Sequence, residues 1–129
     1  MVKRGMVFGV FDHFHEGHEF FLTSASKMCH ELAVVVTPEE AVVLLKGKTP
    51  AQDLESRMII IKKFDPKFIV ISGDKKVGDW DVFETYRPDK VFLGYDQQSI
   101  ARELDKMNVP YEFIDSHKPT EYKSSLRKK

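Results

Sequence analysis

The sequence predicts a single α/β domain of the doubly wound type, in which about five parallel strands carry helices on both faces. Short apolar runs rich in β-branched residues recur along the 129 residues, and they alternate with segments whose apolar residues have helical spacing. Parallel neighbours need a crossover that is usually helical, so this alternation favours an all-parallel sheet. The runs are almost continuously apolar, as in strands covered on both faces. One Rossmann-like domain over residues 1–129 accounts for the whole length.

The predicted strands and helices alternate from the first strand to the last. The first strand is expected at 6–11, an amphipathic helix at 17–31, and the second strand at 32–37, where Pro38 stops it. Segment 39–51 contains an apolar stretch at 41–45 and a loop at 46–50, and no helix or strand is assigned to it. Further along, we expect a helix at 52–64, a strand at 68–72, a polar loop at 73–78, a short helix at 80–86, a strand at 90–93, a helix at 100–107 and a last strand at 111–114.

Charge and cysteine content argue against several classes of protein. Lys plus Arg is 20 and Asp plus Glu is 20, so the basic excess typical of nonspecific nucleic-acid binding is missing. The single cysteine, Cys29, cannot form an intrachain disulfide. No apolar run approaches the ~20 residues that span a bilayer. We therefore expect a cytoplasmic protein with no nucleic-acid and no membrane partner.

The most informative segment is 9–18, at the transition from the first strand to the first helix. It reads Gly9-Val10-Phe11-Asp12-His13-Phe14-His15-Glu16-Gly17-His18. Ligands of open parallel sheets bind outside the carboxyl ends of the strands, and a helix that starts there offers N–H groups to phosphate. His15 and His18 are three residues apart, so both can face one anion. Gly17 lets a backbone or a ligand approach closely between them.

Two other interpretations of the histidines are a metal site and simple packing or capping. The possible metal ligands are His13, His15, Glu16 and His18. Helical zinc sites usually pair histidines at a spacing of four, whereas the spacing here is three, and no cysteine cluster supports a metal. Three histidines within six positions at one strand-to-helix turn favour an anion site over both alternatives.

Segment 9–18 resembles the G-[TV]-F-D-x-x-H-x-G-H signature of the cytidylyltransferase-like nucleotidyltransferases. This family includes glycerol-3-phosphate cytidylyltransferase, archaeal FAD synthases, the adenylyltransferase domain of heptose biosynthesis and phosphopantetheine adenylyltransferase. The resemblance covers nearly the whole chain, because three further segments are similar to family motifs. They are Lys46-Gly47-Lys48 with Arg57, similar to the lysine pair and helix arginine of the glycerol-phosphate enzyme, Leu93-Gly94-Tyr95-Asp96-Gln97, similar to L-G-[YF]-D-Q of FAD-synthase-like proteins, and Thr120-Glu121-Tyr122-Lys123-Ser124-Ser125, similar to T-E-G-I-S-T.

Two features depart from the family pattern. Pro119 stands where the family has an arginine, with Lys118 one place earlier, which weakens the expectation of tight triphosphate binding. The interval between Arg57 and Asp65 is a few residues shorter than usual. This shortening predicts a shorter second helix or a shifted substrate loop.

The resemblance implies transfer of a nucleoside monophosphate from CTP or ATP to a phosphorylated small molecule, with release of pyrophosphate. Because the attacking phosphate is already an anion, positioning and charge stabilisation suffice for catalysis. The implied catalytic residues are His15, His18, Lys46 and Arg57, and Lys48 is the implied substrate contact. The implied nucleotide contacts are Gly9, Val10, Phe11, Asp12, Gly17, Gly94, Asp96, Gln97, Ser124 and Ser125.

The same resemblance implies how some of these groups act. The histidines would donate hydrogen bonds to the triphosphate, more strongly if protonated. Arg57 would hold a phosphate in two-pronged fashion, or would simply lie exposed on its helix. Mg²⁺ is expected to arrive with the triphosphate, with no protein ligand assigned, and a homodimer is expected. The alternative to an enzyme is a nucleotide-binding sensor of the same fold, for which Pro119 is the sequence support.

Overall fold

The computed structural model describes residues 2–74 and 80–114, and in them five strands form one sheet in the order β3-β2-β1-β4-β5. Every neighbouring pair in this order is parallel, so the predicted doubly wound α/β fold is confirmed. The strands are β1 (Val2–Gly9), β2 (Cys29–Val36), β3 (Ile69–Ser72), β4 (Lys90–Leu93) and β5 (Tyr111–Phe113). The helices are α1 (Glu16–Ser26), α2 (Glu39–Lys46), α3 (Leu54–Phe64), α4 (Val82–Tyr86) and α5 (Gln98–Met107).

Two apolar cores lie on opposite faces of this sheet. Successive strand residues alternate between them, as the pleat requires, so Val7 enters one core and Met6 enters the other. The first core is completed by α1 and α3, and the second by α4 and α5. Coverage on both faces explains why the strands are apolar without alternation.

The boundaries of the first two strands differ from the prediction. β1 begins at Val2, four residues earlier than expected, because Val2 pairs with Cys29 at the start of β2. β1 ends at Gly9, before Phe11, whose φ of 55° lies in the left-handed region and breaks the strand. The predicted helix 17–31 was too long at its carboxyl end. α1 stops at Ser26, and the apolar side chains at 29 and 32 belong to β2.

The unassigned segment 39–51 contains a helix that the sequence analysis missed. α2 runs over Glu39–Lys46, so Lys46 is helical rather than part of a loop. Gly47 ends the helix with φ 75°, the left-handed conformation that glycine adopts without steric cost. Ala41 and Val42 are buried, which explains the apolar stretch that the prediction left open.

No helix within 2–74 and 80–114 is long and apolar enough to cross a membrane. Cys29 is a free, buried thiol whose Sγ donates to the carbonyl of Ala25. Burial raises the pKa of this thiol, so its reactive thiolate form is disfavoured.

Candidate nucleotide-binding site

The predicted site residues gather at the carboxyl end of β1, where the order of strands reverses. β1 pairs with β2 on one side and with β4 on the other, and the chain leaves these neighbours toward opposite faces of the sheet. Such a topological switch point opens a crevice that binds ligands in doubly wound sheets. Segment 9–18 borders this crevice from β1, and segment 94–97 borders it from β4.

The turn between β1 and α1 contains two residues in left-handed conformation. Phe11 has φ 55° and His13 has φ 52°, which costs a non-glycine residue about 1–2 kcal/mol. The Phe11 ring is buried and lies over Gly9, where a Cβ would come within 2.6 Å of it. Only glycine at position 9 leaves room for the folded-back Phe11 ring. The strained turn is therefore stabilised by the packing of its neighbours.

His15 and His18 form the amino-terminal cap of α1. His15 is the N-cap residue, and its Nδ1 accepts a hydrogen bond from the Gly17 N–H at 3.0 Å. His18 occupies the third helical position, and its Nδ1 accepts from the His15 N–H at 3.2 Å. This reciprocal arrangement is a capping box built from two imidazoles. The rings stack with centroids 3.9 Å apart, so both reach the same end of the helix.

These hydrogen bonds fix the tautomer of each neutral ring. A nitrogen that accepts a hydrogen bond carries no proton, so the single proton of each neutral imidazole is on Nε2. Each ring therefore has one N–H donor left, directed away from the capped backbone. The pair can donate two hydrogen bonds to a single anion at the start of α1.

His18 is neutral at neutral pH. Burial lowers the pKa of His18 to about 4, with a further decrease from the neighbouring His15 and a smaller opposing effect of Asp12. The Phe14 ring stacks on His18 with centroids 5.6 Å apart, which accounts for part of that burial. Stronger donation through a protonated ring, considered in the sequence analysis, is therefore not available to His18 near pH 7.

Gly17 is required by the His15 ring. A Cβ at position 17 would lie 2.9 Å from Cε1 and 3.1 Å from Nδ1 of His15. Any side chain there would displace the ring from the Gly17 N–H that it caps. The glycine of the histidine segment thus serves the placement of an imidazole as well as the approach of a ligand.

Asp12 binds the segment between α2 and α3. Its Oδ2 accepts from the Ala51 N–H at 2.7 Å, and its Oδ1 accepts from the Gln52 N–H at 3.0 Å. The hydrogen bond from Ala51 is the main cause that lowers the pKa of Asp12. Both carboxylate oxygens are engaged with backbone, so the contacts of Asp12 are those of a residue that orients the site, and its contact with a nucleotide stays a prediction.

Arg57 lies inside the protein, contrary to the alternative that it lies exposed on its helix, and its contact with a phosphate stays a prediction. Its side chain is fully buried, its Nε donates to the Gln52 carbonyl, and its Nη1 donates to the carbonyls of Val10 and Thr37 at 2.9 and 2.8 Å. The physical reason is the orientation of α3, which points position 57 at the carboxyl ends of β1 and β2. These contacts are those of a positioning residue that ties both strand ends to α3.

The segment after β4 is tied across the crevice to β1. Gln97 accepts from the Gly94 N–H through Oε1 and donates to the Phe8 carbonyl through Nε2, both at 2.9 Å. Asp96 is exposed beside this bridge, and a Cβ at Gly94 would come within 3.3 Å of its Oδ1. Gln97 therefore fixes the geometry of this edge, and Tyr95 and Asp96 are the exposed members of the segment.

The remaining predicted residues are two lysines near the end of α2 and two serines near the end of the sequence. Lys48 is exposed in the connection between α2 and α3. Lys46 ends α2, and its side chain is outside what the structure describes. Ser124 and Ser125, together with the departure at Pro119, lie outside the described residues. Their predicted contacts with the triphosphate stay predictions.

Within the described parts of the chain, no three His, Cys, Asp or Glu side chains are grouped as ligands for a metal ion. The nitrogens at Nδ1 of His15 and His18 are occupied by backbone N–H groups. Only their Nε2 atoms could approach a metal, and this arrangement differs from the zinc alternative considered for the segment.

Sequence analysis missed one residue that contacts several parts of the site. Gln52 accepts from the His13 N–H at 3.0 Å, and its backbone binds Asp12 and Arg57. The sequence around Gln52 gives little indication of these contacts, because the recognisable feature there is its neighbour Asp53, the N-cap of α3. Two of its partners, His13 and Asp12, lie 39 and 40 positions earlier, and no local pattern reveals such contacts.

A family model and several curated relatives match this chain over most of its length. Residues 6–127 match a family model described as cytidylyltransferase-like. An FAD synthase of Korarchaeum cryptofilum is 38% identical over 124 residues, covering 88% of this chain and 81% of that protein. An FAD synthase of Aciduliprofundum boonei is 36% identical over 103 residues, covering 80% and 68%. One of Thermococcus sibiricus is 32% identical over 124 residues, covering 93% and 82%.

Solved structures show the same architecture. A lipopolysaccharide core biosynthesis protein of Thermoplasma volcanium superposes with a TM-score of 0.72 at 29% identity, covering 90% of this chain and 97% of that one. Pantothenate synthetase of Thermus thermophilus superposes with a TM-score of 0.57 at 12% identity, covering 88% and 55%. The second likeness concerns the fold alone.

Proposed function

Because this chain belongs to the cytidylyltransferase-like family, we propose that it transfers the adenylyl group of ATP to the phosphate of flavin mononucleotide. The resemblance found in the sequence is confirmed at the level of the family, and the chain is a nucleotidyltransferase. The finer assignment is supported by relatives that carry the name FAD synthase. FAD is an adenylyl group joined to flavin mononucleotide through a pyrophosphate link, so such an enzyme takes ATP and the flavin phosphate as substrates.

The observation that carries the proposal is the stacked pair of His15 and His18 at the start of α1. In the reaction, an oxygen of the flavin phosphate attacks the α-phosphorus of ATP, a new P–O bond forms, and the bond to the bridging oxygen breaks. Pyrophosphate leaves with that electron pair. Two Nε2–H donors at one helix terminus can bind the oxygens on which negative charge increases.

The neutrality of His18 suits this role. The attacking phosphate is already an anion, so no side chain has to remove a proton from it. A neutral ring with its Nδ1 capped cannot accept a proton without losing the hydrogen bond to the His15 N–H. The pair therefore acts as fixed donors. Mg²⁺ arriving with ATP would supply cationic charge, and the lysines at positions 46 and 48 stay the predicted protein cations.

The test is product formation with matched donor and acceptor pairs. The purified protein is incubated with Mg²⁺ and either ATP or CTP, against flavin mononucleotide, glycerol 3-phosphate, 4'-phosphopantetheine and a sugar 1-phosphate. Pyrophosphate and the joined nucleotide are both measured. We expect FAD from ATP and flavin mononucleotide. CDP-glycerol from CTP would replace the flavin assignment, and nucleotide binding without turnover on any pair would favour the sensor.

We also propose that two copies associate through the outer face of α3. Ile59 is 47% exposed there, in an apolar groove of about 390 Å³ that Met58 and Val70 line and that Glu55 and Lys62 flank. Glu55 and Lys62 are two helical turns apart, so a two-fold axis near Ile59 would place each Glu55 opposite Lys62 of the partner subunit. Sedimentation should show a dimer at micromolar concentration that Ile59→Glu converts to monomer. A monomeric wild-type protein would contradict this.

A further inference from the structure

We infer that Gln52 is a positioning residue, which holds the segment bearing Lys48 in register with the histidine turn. The inference rests on the proposed nucleotidyl transfer and concerns how the two sides of its site are joined. Gln52 is the residue before Asp53, the N-cap of α3, and it lies between Lys48 and Arg57 in the chain. None of the family motifs quoted above includes it.

Gln52 is bound to the site through its side chain and through both of its backbone groups. Its Oε1 accepts from the His13 N–H at 3.0 Å, and its N–H donates to Oδ1 of Asp12 at 3.0 Å. Its carbonyl accepts from Nε of Arg57 at 2.9 Å. Two of these contacts cross 39 and 40 positions of the sequence. One residue thus joins the turn after β1 to the start of α3.

The side-chain contact acts on a strained residue. His13 has φ 52°, a conformation that persists only where neighbouring groups hold it. Its N–H is held by Gln52, and two residues later His15 begins the capping box of α1. Loss of the Oε1 acceptor would let the turn relax and would shift the histidines relative to the lysine segment. Shifts of about 1 Å can cost on the order of a hundredfold in rate.

Gln52 allows a cleaner experiment than its neighbour in the same network. The carboxylate of Asp12 accepts from the same segment, but removing it also changes the charge beside the histidines. Gln52 is uncharged, and its side chain contributes one hydrogen bond. Gln52→Met preserves length and apolar stem while removing the acceptor, so a change in rate reports on position and not on charge.

The experiment compares Gln52→Met with wild type and with Val109→Ala. Val109 packs against the α4 and α5 core at the amino-terminal end of the sheet, so its truncation lowers stability away from the site. We expect kcat with the best substrate pair to fall about ten- to a hundredfold in Gln52→Met. KM for ATP should change less than about threefold, because the donors remain present. Val109→Ala should keep the wild-type kcat despite a lower Tm.

A second readout is amide hydrogen exchange of His13, which needs no turnover. Exchange at His13 should be at least about tenfold faster in Gln52→Met than in wild type, because the N–H loses its acceptor. An unchanged kcat in Gln52→Met would overturn the inference while leaving the proposed function standing. Wild-type protein inactive on every pair would overturn the proposed function, and unchanged exchange at His13 would then overturn the positioning role as well.

Discussion

Replacing His18 by asparagine separates its two hydrogen-bonding roles. The ring accepts from the His15 N–H through Nδ1 and keeps its proton on Nε2. The Oδ1 atom of asparagine can occupy the place of Nδ1, whereas asparagine has no atom at the place of Nε2. His18→Asn therefore preserves the cap of α1 and removes the donor that we assign to the triphosphate.

The expected loss of turnover follows from the donor alone. Removal of one preorganised donor to a developing oxyanion costs about 2.7–4 kcal/mol, or about a hundred- to a thousandfold in kcat. Stability should change by no more than about 1 kcal/mol, because the cap survives and the loss is confined to the ring contacts with Phe11, Phe14 and His15. Steady-state kinetics and thermal denaturation of the same preparation measure both quantities.

His18→Ala provides the matched control. Alanine lacks both a donor at the place of Nε2 and an acceptor for the His15 N–H. This variant should lose about 0.5–2 kcal/mol of stability from the cap and should lose about as much turnover as His18→Asn. If His18→Asn turned over at close to the wild-type rate, the role of Nε2 as a transition-state donor would be refuted. Equal stability losses in both variants would refute the assigned tautomer.

Three further predictions concern the same turn and its support. Between pH 6.5 and about 4 the unfolded chain binds a proton at His18 that the folded chain does not. The free energy of unfolding should therefore decrease as the pH is lowered from 6.5 to about 4. For a partly buried ring this loss is about 1–2 kcal/mol after screening, and denaturant titrations at pH 7 and pH 4.5 should show it shrink in His18→Asn. Gly17→Ala should reduce kcat at least about tenfold with little change in Tm, because its Cβ displaces the movable His15 ring rather than the backbone. A wild-type kcat in this variant would contradict the role of the His15 ring position in turnover. Arg57→Lys should lower stability by roughly 3 kcal/mol in urea unfolding, since a shorter buried cation cannot reproduce the contacts of Nε and Nη1 with three carbonyls. An unaffected midpoint would show that those contacts are dispensable.

The fold could be predicted from the sequence because its signals are local. Strands buried on both faces read as apolar runs, and the helices between them show their own spacing. The missed helix α2 has eight residues with apolar side chains on more than one side, and Val43 and Leu44 are exposed. Its apolar pattern therefore could not be told from that of a strand or a buried loop.

The site was predictable in its location and less so in its contacts. Motif spacing identified the histidine segment, and the switch point of the sheet follows from the strand order. The burial of Arg57 could not be foreseen, because an arginine on a helix has the same spacing whether it points outward or at strand ends. The partners of Asp12 lie 39 and 40 positions away, and contacts of that range depend on the packing of α3 against β2 and β3.

The amide of Gln97 spans the two strands that flank the crevice, and this has a consequence for how a nucleotide enters. Both of its polar atoms are engaged, one with the Phe8 carbonyl and one with the Gly94 N–H. Widening the gap would break the hydrogen bond to Phe8, while the hydrogen bond from Gly94 keeps the amide directed at that carbonyl, so the gap has its final width before a ligand binds. Nucleotide binding would then cost no free energy for reshaping this edge of the crevice. A base too large for the gap would be excluded because the gap cannot widen.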